Sequence, residues 1–263
     1  MEIKFVNYTY NDNIIDLGIL NHTITGITGN TKQELFDLLS LKKQGKGQLT
    51  IDNIKITKDN ISNYKKKISV VKKELDNMNF ILTVRDLMNY TIRVYNLSIK
   101  DCEKKIKDSL KIVGLEEKYL NKKIVTLSAS EKKLVQYAIC LISNPELIII
   151  DEPFKYLDNK NEKKVLMLLQ RLKEQFNINI ILISDDCEIL YKYTDNIIIS
   201  KNGKIIAQGN TTNVYQRVDF MKRNKIDIPE IIEFTYLAKK QKNVKIDYHK
   251  DIRDIIKDIY KHV

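Results

Sequence analysis

The chain of 263 residues is longer than one average domain and too short for two full ones, so we expect one large domain with an appendage. Its composition, 43% hydrophobic and 30% charged, excludes a wholly disordered protein, and no apolar run approaches the ~18 residues that a membrane-spanning helix requires. The net charge of +11 comes from lysines that are spread along the chain without interleaved aromatic residues, which favours no nucleic-acid partner. The N-terminus lacks a signal pattern, and the few cysteines and histidines lie far apart, so we expect a cytosolic protein without disulfides or zinc.

Strands are predicted first along the chain, and a helical middle follows. Runs rich in Ile, Val, Thr and Tyr predict strands at Ile3–Tyr10, Thr23–Thr28, Gln48–Ile51, Ile54–Thr57 and Ile68–Val71. Apolar residues at helical spacing predict helices at Val84–Tyr95, Lys100–Val113 and Ser130–Ser143.

The second half of the chain alternates between strand and helix signals, which is typical of an α/β fold with a mostly parallel sheet. Leu147–Asp151 is an unbroken apolar run ended by a carboxylate, as in a strand buried on both faces of such a sheet. The other predicted elements are helix Asn161–Phe176, strand Asn179–Ser184, helix Asp186–Tyr193, and strands Asn196–Ser200 and Lys204–Ala207.

The strand signals stop near residue 217, and helical signals replace them. Asp227 and Pro229 predict the cap and the first residue of one helix, and Ile252–Tyr260 predicts a second. We therefore divide the chain into a domain of residues 1–217 and a small helical extension of residues 218–263.

The sharpest motif is LIIIDEP followed by YLD, from Leu147 to Asp158. Asp151 falls at the carboxyl end of a buried strand, where open α/β sheets bind ligands. The adjacent carboxylates suit a magnesium ion held by Asp151 and a water molecule polarised by Glu152. A strand that simply ends in a solvated acidic turn is the alternative interpretation.

A second motif, LSASEKKLVQYAICLISNPE, runs from Leu127 to Glu146 just before the first one. This order of signature segment, helix, Asn-Pro, strand, Asp-Glu-Pro and Leu-Asp resembles the nucleotide-binding subunits of ABC transporters. The stretch Ser200–Tyr215 resembles the closing hairpin of that family, and TVRDLMNY, from Thr83, resembles the start of its helical subdomain. The resemblance implies a P-loop NTPase cassette over residues 1–217, with the helical subdomain at about residues 72–143.

The resemblance also implies which residues would contact ATP and Mg²⁺. The implied nucleotide contacts are Tyr10, which would stack on adenine, the phosphate-loop residues Gly26, Gly29, Asn30, Thr31, Lys32 and Gln33, and also Lys73, Ser128 and Asp158. The implied catalytic positions are Glu152 and, at a degenerate switch position, Asp185; Asp151 and Gln33 are the implied metal positions.

Several of these positions depart from the family pattern. Thr31 replaces a glycine and adds a Cβ where the backbone should approach the phosphates closely, and Gln33 replaces the hydroxyl that would ligate magnesium. Lys73 stands in place of a glutamine, Asp185 in place of a histidine, and Ala129-Ser130-Glu131 in place of Gly-Gly-Gln. The apolar pattern is nevertheless intact, which predicts a fold that was kept for assembly after its catalytic demands relaxed. A strand, turn and helix that bind no nucleotide remain an alternative for the loop.

The tail IDIPEIIEFTYLAKK, from Ile226, is similar to the C-terminal extension of energy-coupling factor ATPases. The resemblance implies an ATP-binding subunit of such an importer, peripheral on the cytoplasmic face of the membrane, with impaired hydrolysis. Its partners would be a second ABC ATPase subunit and an integral membrane subunit; the alternative is an inactive pseudo-ATPase that supports an active partner. We expect an apolar stripe of the tail to pack on the partner ATPase: Ile228, Ile231, Ile232 and Leu237.

Overall fold

The computed structural model describes residues 1–74, 81–94, 96, 101–242 and 246–261. The strands are β1 (Ile3–Tyr10), β2 (Asn13–Ile19), β3 (Ile24–Gly29), β4 (Lys46–Ile51), β5 (Ile54–Lys55), β6 (Ile68–Val71), β7 (Leu147–Asp151), β8 (Asn179–Ile183), β9 (Asn196–Lys201) and β10 (Lys204–Asn210). The helices are α1 (Lys32–Leu39), α2 (Ile61–Lys65), α3 (Val84–Val94), α4 (Cys102–Ile112), α5 (Ala129–Ile142), α6 (Asn159–Phe176), α7 (Cys187–Tyr193), α8 (Thr211–Tyr215), α9 (Val218–Asn224), α10 (Glu230–Lys242) and α11 (Ile252–Lys261). Short 3₁₀ turns lie at Glu117–Asn121 and Ile124–Thr126.

The larger sheet has the strand order β10-β9-β3-β8-β7-β6, in which only β10 runs antiparallel to its neighbour. Strand β7 pairs with β6 on one side and β8 on the other, which confirms the prediction of an interior strand at Leu147–Asp151. Its side chains alternate between two hydrophobic cores: Ile148 and Ile150 lie in one core, and Leu147 and Ile149 in the other. Both faces of the sheet are therefore covered, which is why the strand is apolar throughout.

The smaller sheet is antiparallel, with the order β2-β1-β4-β5. Strands β1 and β2 are joined by Asn11 and Asp12, both at positive φ (47° and 61°), as a two-residue hairpin turn requires. The sequence analysis predicted no strand at β2, because Asp16 and Gly18 interrupt its apolar residues. In an antiparallel sheet with one buried face only every second residue must be apolar.

The helical part between β6 and β7 begins with α3 and α4, close to the predicted ranges. The predicted ends at Tyr95 and Lys100 lie outside the described residues. Helix α5 follows and packs against α3 and α4. Among the described residues, no helix is long and apolar enough to cross a membrane.

Within the described residues, the C-terminal extension contains α9, α10 and α11. Its apolar residues pack differently from our expectation. Ile232 is fully buried and belongs to the main core, as do Val218 and Met221 of α9, and Ile228 and Ile231 pack against the same core. The expected free stripe is therefore wrong: most of it covers this chain's own cassette. Helix α10 also begins one residue after Pro229, and residues 246–251 are not helical.

The exposed apolar side chains of the tail lie elsewhere. Leu237 and Phe234 of α10 are 38% and 53% exposed. On α11, Ile252, Ile256 and Tyr260 are 64%, 44% and 78% exposed, and their spacing of four residues places them on one face of the helix.

Candidate functional site

Parallel strands of the larger sheet end at one edge, and the predicted site residues gather there. The connection from β3 to α1 consists of only two residues, Asn30 and Thr31. The preceding residues Gly26–Gly29, predicted to begin a phosphate loop, continue β3 and pair with Ile197–Ser200 of β9. A phosphate cradle needs successive backbone N–H groups that point into a loop. Here half of the predicted loop belongs to the sheet.

The packing of the fold by itself accounts for both Gly26 and Gly29 of this segment. Gly29 has a φ of +109°, and a Cβ added there would lie 1.8 Å from the Ser200 carbonyl oxygen. A Cβ added to Gly26 would lie 3.1 Å from the side chain of Thr194 and 3.2 Å from that of Leu190. The close approach of β9 and α7 therefore explains both glycines without a ligand.

The turn between β9 and β10 holds the β3–α1 connection in place. The amide Nδ2 of Asn30 donates to Asn202 Oδ1 at 2.9 Å, and Asn202 N donates to Asn30 Oδ1 at the same distance. Gly203 N donates to Thr31 Oγ1 at 3.4 Å. Sequence reasoning missed this contact, because more than 170 residues separate its two sides and an Asn in a loop signals only a turn.

Lys32, at the start of α1, forms ion pairs with two carboxylates. Its Nζ contacts Asp185 Oδ2 and lies 3.8 Å from Glu152 Oε1. The Glu152 carboxylate also accepts hydrogen bonds from Ser184 Oγ at 2.9 Å and from Asp185 N at 3.3 Å. Both carboxylates that were predicted to be catalytic are thus joined to the predicted phosphate lysine.

Asp151 lies at the end of β7, where the sequence placed it, and is 9% exposed. Burial and the neighbouring Glu152 charge raise the pKa of Asp151, and the charges of Lys73, Lys32 and Lys133 oppose that rise. Lys73 is therefore an electrostatic neighbour of Asp151.

The second predicted metal position, Gln33, is exposed on the first turn of α1. Within the described ranges, no group of three or more His, Cys, Asp or Glu side chains could hold a metal ion.

Lys133 is a residue of this region that sequence reasoning missed. Its side chain is fully buried, and its Nζ donates to the carbonyl oxygens of Lys72 at 2.9 Å and Asp151 at 3.5 Å. Burial lowers the pKa of Lys133 to about 8, although the charges of Asp151 and Glu152 oppose that shift. It fastens α5 to the ends of β6 and β7. Two consecutive lysines in a helix predict a solvated face, so no local signal identified it.

The signature segment forms the N-terminal cap of α5. Ser128 Oγ accepts a hydrogen bond from Glu131 N at 3.2 Å, and Glu131 Oε2 accepts one from Ser128 N at 2.8 Å, which is a complete capping box. Tyr119 OH donates to Glu131 Oε1 at 2.7 Å and lowers the pKa of that carboxyl. Glu131, at the third position of the helix, thus completes its N-terminal cap, which a glutamine at that position would also do.

Asp158 and Asp186 are helix caps as well. Asp158 caps α6 by accepting from Asn161 N at 2.9 Å, and it also accepts from Ser130 Oγ at 3.2 Å; these bonds lower its pKa. Asp186, predicted as the first residue of this helix, caps α7 by accepting a hydrogen bond from Ile189 N at 3.0 Å.

Tyr10, at the end of β1, lies beside the later part of α1. Asp37, whose Oδ2 is 3.0 Å from Lys43 Nζ, raises the pKa of Lys43, and the Tyr10 hydroxyl adds to that rise. Asp37 stands about 7 Å along the helix axis from Lys32, since α-helices rise ~1.5 Å per residue.

This arrangement does not fit the phosphates of a nucleotide. The connection has no loop to surround them, and the ammonium group of Lys32 lies within ion-pair distance of Asp185 and Glu152, although it donates a hydrogen bond to neither carboxylate. Gln33 offers no hydroxyl to a metal ion. We therefore derive no catalytic step through bound ATP or magnesium at this site.

Comparisons with known proteins agree on the family. A sequence model described as ABC transporter matches residues 20–155. The energy-coupling factor transporter ATP-binding protein EcfA2 of Enterococcus faecalis is 29% identical over 89% of this chain and 88% of its own length. Its counterpart in Clostridium tetani is 30% identical over 83% of this chain and 76% of its own length.

Solved structures show the same fold. The cbiO1 protein of Clostridium perfringens, described as part of the ABC transporter complex cbiONQ, superposes with a TM-score of 0.72 at 25% identity and covers 89% of this chain and 98% of its own. The cassette MJ0796, in a dimeric post-hydrolysis state bound to ADP and Pi, superposes with a TM-score of 0.66 at 23% identity. This match covers 80% of our chain and 98% of the MJ0796 chain.

Proposed function

This chain belongs to the ABC transporter family, and we propose that it is the cassette subunit of an energy-coupling factor importer whose own site does not hydrolyse ATP. In this role it supports an active partner ATPase. The single observation that carries the proposal is the ion-paired state of Lys32, whose ammonium contacts Asp185 beside a β3–α1 connection of two residues. A phosphate group would have to displace a carboxylate and open the sheet before it could bind.

The caps of α5 support the same proposal from the other side of the cassette. By resemblance, the signature segment of one cassette faces the phosphate loop of its partner. Ser128 and Glu131 cap each other here, and Ser130 bonds to Asp158 of the same chain. These polar groups stabilise the monomer, so we propose that they contribute little to a partner's nucleotide.

The names of the relatives support the proposed partners. Proteins named energy-coupling factor ATP-binding proteins, and a neighbour described as part of a transporter complex, support assembly of this chain with a second ATPase and an integral membrane subunit. We place it at the cytoplasmic face of that membrane complex. The exposed face of α11 formed by Ile252, Ile256 and Tyr260 is our candidate for contact with the second ATPase.

We propose the domain division given by the sequence, with the cassette over residues 1–217 and the extension over 218–263. The core positions of Val218, Met221 and Ile232 support an extension that is docked on the cassette instead of folding alone.

The test is ATP binding and turnover by the full chain, alone and co-expressed with its neighbouring transporter subunits. We expect no saturable binding of ATP by the isolated chain, with or without magnesium. In the complex, Glu152→Gln of this chain should leave turnover unchanged, like the control Glu174→Gln on the exposed face of α6. Turnover near about 1 s⁻¹ by the isolated chain, abolished by Glu152→Gln, would instead establish a working ATPase.

A further inference from the structure

We infer that Asp185 acts as an internal anion for Lys32, so that the β3–α1 connection is held in its closed arrangement without a nucleotide. The inference deepens the proposed function, since it names the contact that makes the cassette independent of ATP. It rests on two contacts of the connection: the ion pair between the Lys32 ammonium and the Asp185 carboxylate, and the hydrogen bonds between Asn30 and the turn that contains Asn202.

Lys32 requires a negative partner where it lies. Its side chain is 16% exposed, so its ammonium is largely withdrawn from water, and a buried charge is stable only when it is paired. Glu152 cannot serve alone, because it is 3.8 Å away and its oxygens accept bonds from Ser184 and Asp185. Asp185 is the nearer anion: its Oδ2 contacts Lys32 Nζ as an ion pair, without a hydrogen bond between them.

The backbone fixes Asp185 in that position. Its N–H donates to Glu152, and the next residue, Asp186, caps α7 and donates its own N–H to Ser184 Oγ at 3.1 Å. The Asp185 side chain itself is 75% exposed, so its carboxylate remains well hydrated while it neutralises the lysine. A short side chain on a fixed backbone gives a high local concentration of the anion.

Neighbouring charges leave this pairing intact. Lys133 Nζ donates to two carbonyl oxygens, so this cation is engaged away from Asp185. Asn30 and Thr31 are held by the β9–β10 turn through three hydrogen bonds. The Lys32–Asp185 ion pair and these hydrogen bonds therefore both hold the β3–α1 connection in its observed conformation.

It follows that an external polyanion competes with an internal one. The apparent affinity of the external polyanion is the intrinsic affinity multiplied by the fraction of molecules in which Lys32 is not paired with Asp185. Removing the charge of Asp185 should expose this latent affinity, which the pairing with Lys32 keeps low in the wild-type chain.

The experiment measures binding of inorganic tripolyphosphate to the full chain at low salt by calorimetry. The variants are Asp185→Asn, Asp185→Asn with Lys32→Ala, and the conservative Asp185→Glu. The matched control is Glu117→Gln, which removes one negative charge from the exposed Lys107–Glu117 pair. Low salt matters because the exposed carboxylate is screened at high ionic strength.

We expect Asp185→Asn to bind tripolyphosphate at least about tenfold more tightly than the wild type, which corresponds to ~1.4 kcal/mol. The gain should vanish with Lys32→Ala and be absent in Asp185→Glu and Glu117→Gln. Asp185→Asn should also melt about 2–4 °C lower, and tripolyphosphate should restore that melting temperature in this variant alone.

The inference is overturned if Asp185→Asn binds no better than the wild type, if Glu117→Gln gains as much, or if the gain survives Lys32→Ala. Tight binding of Mg-ATP by the wild-type chain would overturn the proposed function separately. The ratio between Asp185→Asn and the wild type decides whether Asp185 is the internal anion.

Discussion

The interior of the larger sheet and its carboxyl edge are stabilised by different interactions in this protein. In the interior, β7 and β8 carry apolar side chains on both faces, as the family fold requires. At the edge, two residues that differ from the family pattern contact residues that match it: Asp185 pairs with Lys32, and Glu131 exchanges hydrogen bonds with Ser128 at the start of α5. The comparison teaches that polar contacts within the chain hold the edge together, whereas close packing of apolar side chains holds the interior together.

The largest expected effect lies in the interior. Ile149 of β7 is fully buried, so Ile149→Ala should lower the free energy of unfolding by about 2–5 kcal/mol, because the lost methyl groups leave a cavity. The matched control is Met167→Ala on α6, where the side chain is 62% exposed and the change should stay within ~0.5 kcal/mol. Urea denaturation measures both; equal losses would erase the distinction between packed and exposed positions.

A loss of stability of comparable size is expected at Gly29, where the edge meets the interior. Gly29→Ala places a Cβ 1.8 Å from the Ser200 carbonyl oxygen at a φ of +109°, so β3 must separate from β9. The left-handed backbone alone costs about 1–3 kcal/mol, and the separation of the strands adds to that loss. Gly18→Ala is the control, since a Cβ there meets no atom within 4 Å. If both variants melt at the same temperature, the close approach of β9 does not explain Gly29.

The cap of α5 should contribute less, and in a pH-dependent way. Tyr119→Phe removes the hydrogen bond to Glu131 and should cost about 1 kcal/mol at neutral pH. Since that bond lowers the pKa of Glu131 in the folded state, its contribution is present above the carboxyl's ordinary pKa and is lost as the pH falls through the lowered value. Urea melts at several pH values measure the difference, with Tyr90→Phe, 60% exposed on α3, as the control. A deficit that persists unchanged in acid would exclude this origin.

The smallest effect on stability is expected on α11, together with a clear effect on assembly. Ile252→Ser with Ile256→Ser alters side chains that are 64% and 44% exposed, so unfolding should change by less than about 1 kcal/mol. Association with the second ATPase, measured by co-purification, should fall if this face is the contact. Ile14→Ser, 59% exposed on β2, is the control. Normal assembly of the double variant would show that the partner binds elsewhere.

The sequence by itself determined the α/β class and the interior strand β7, because unbroken apolar runs are local signals that burial imposes. The family was identified separately, from the resemblance of an ordered motif to known proteins. The helix predictions from the sequence were also close in the region from α5 to α7. The sequence analysis did not predict strand β2, because a half-buried strand tolerates Asp16 and Gly18 on its solvent-exposed face.

Only the tertiary structure decided what the carboxyl edge does. The pairing of Lys32 with Asp185, the bonds from Asn202 to Asn30 and the burial of Lys133 join residues that are far apart in the chain. The tail shows the same limit: its apolar spacing predicted a stripe, and the fold decided that Ile232 faces its own core. Periodicity reports which side of an element is apolar, and only the surrounding elements determine which apolar surface covers it.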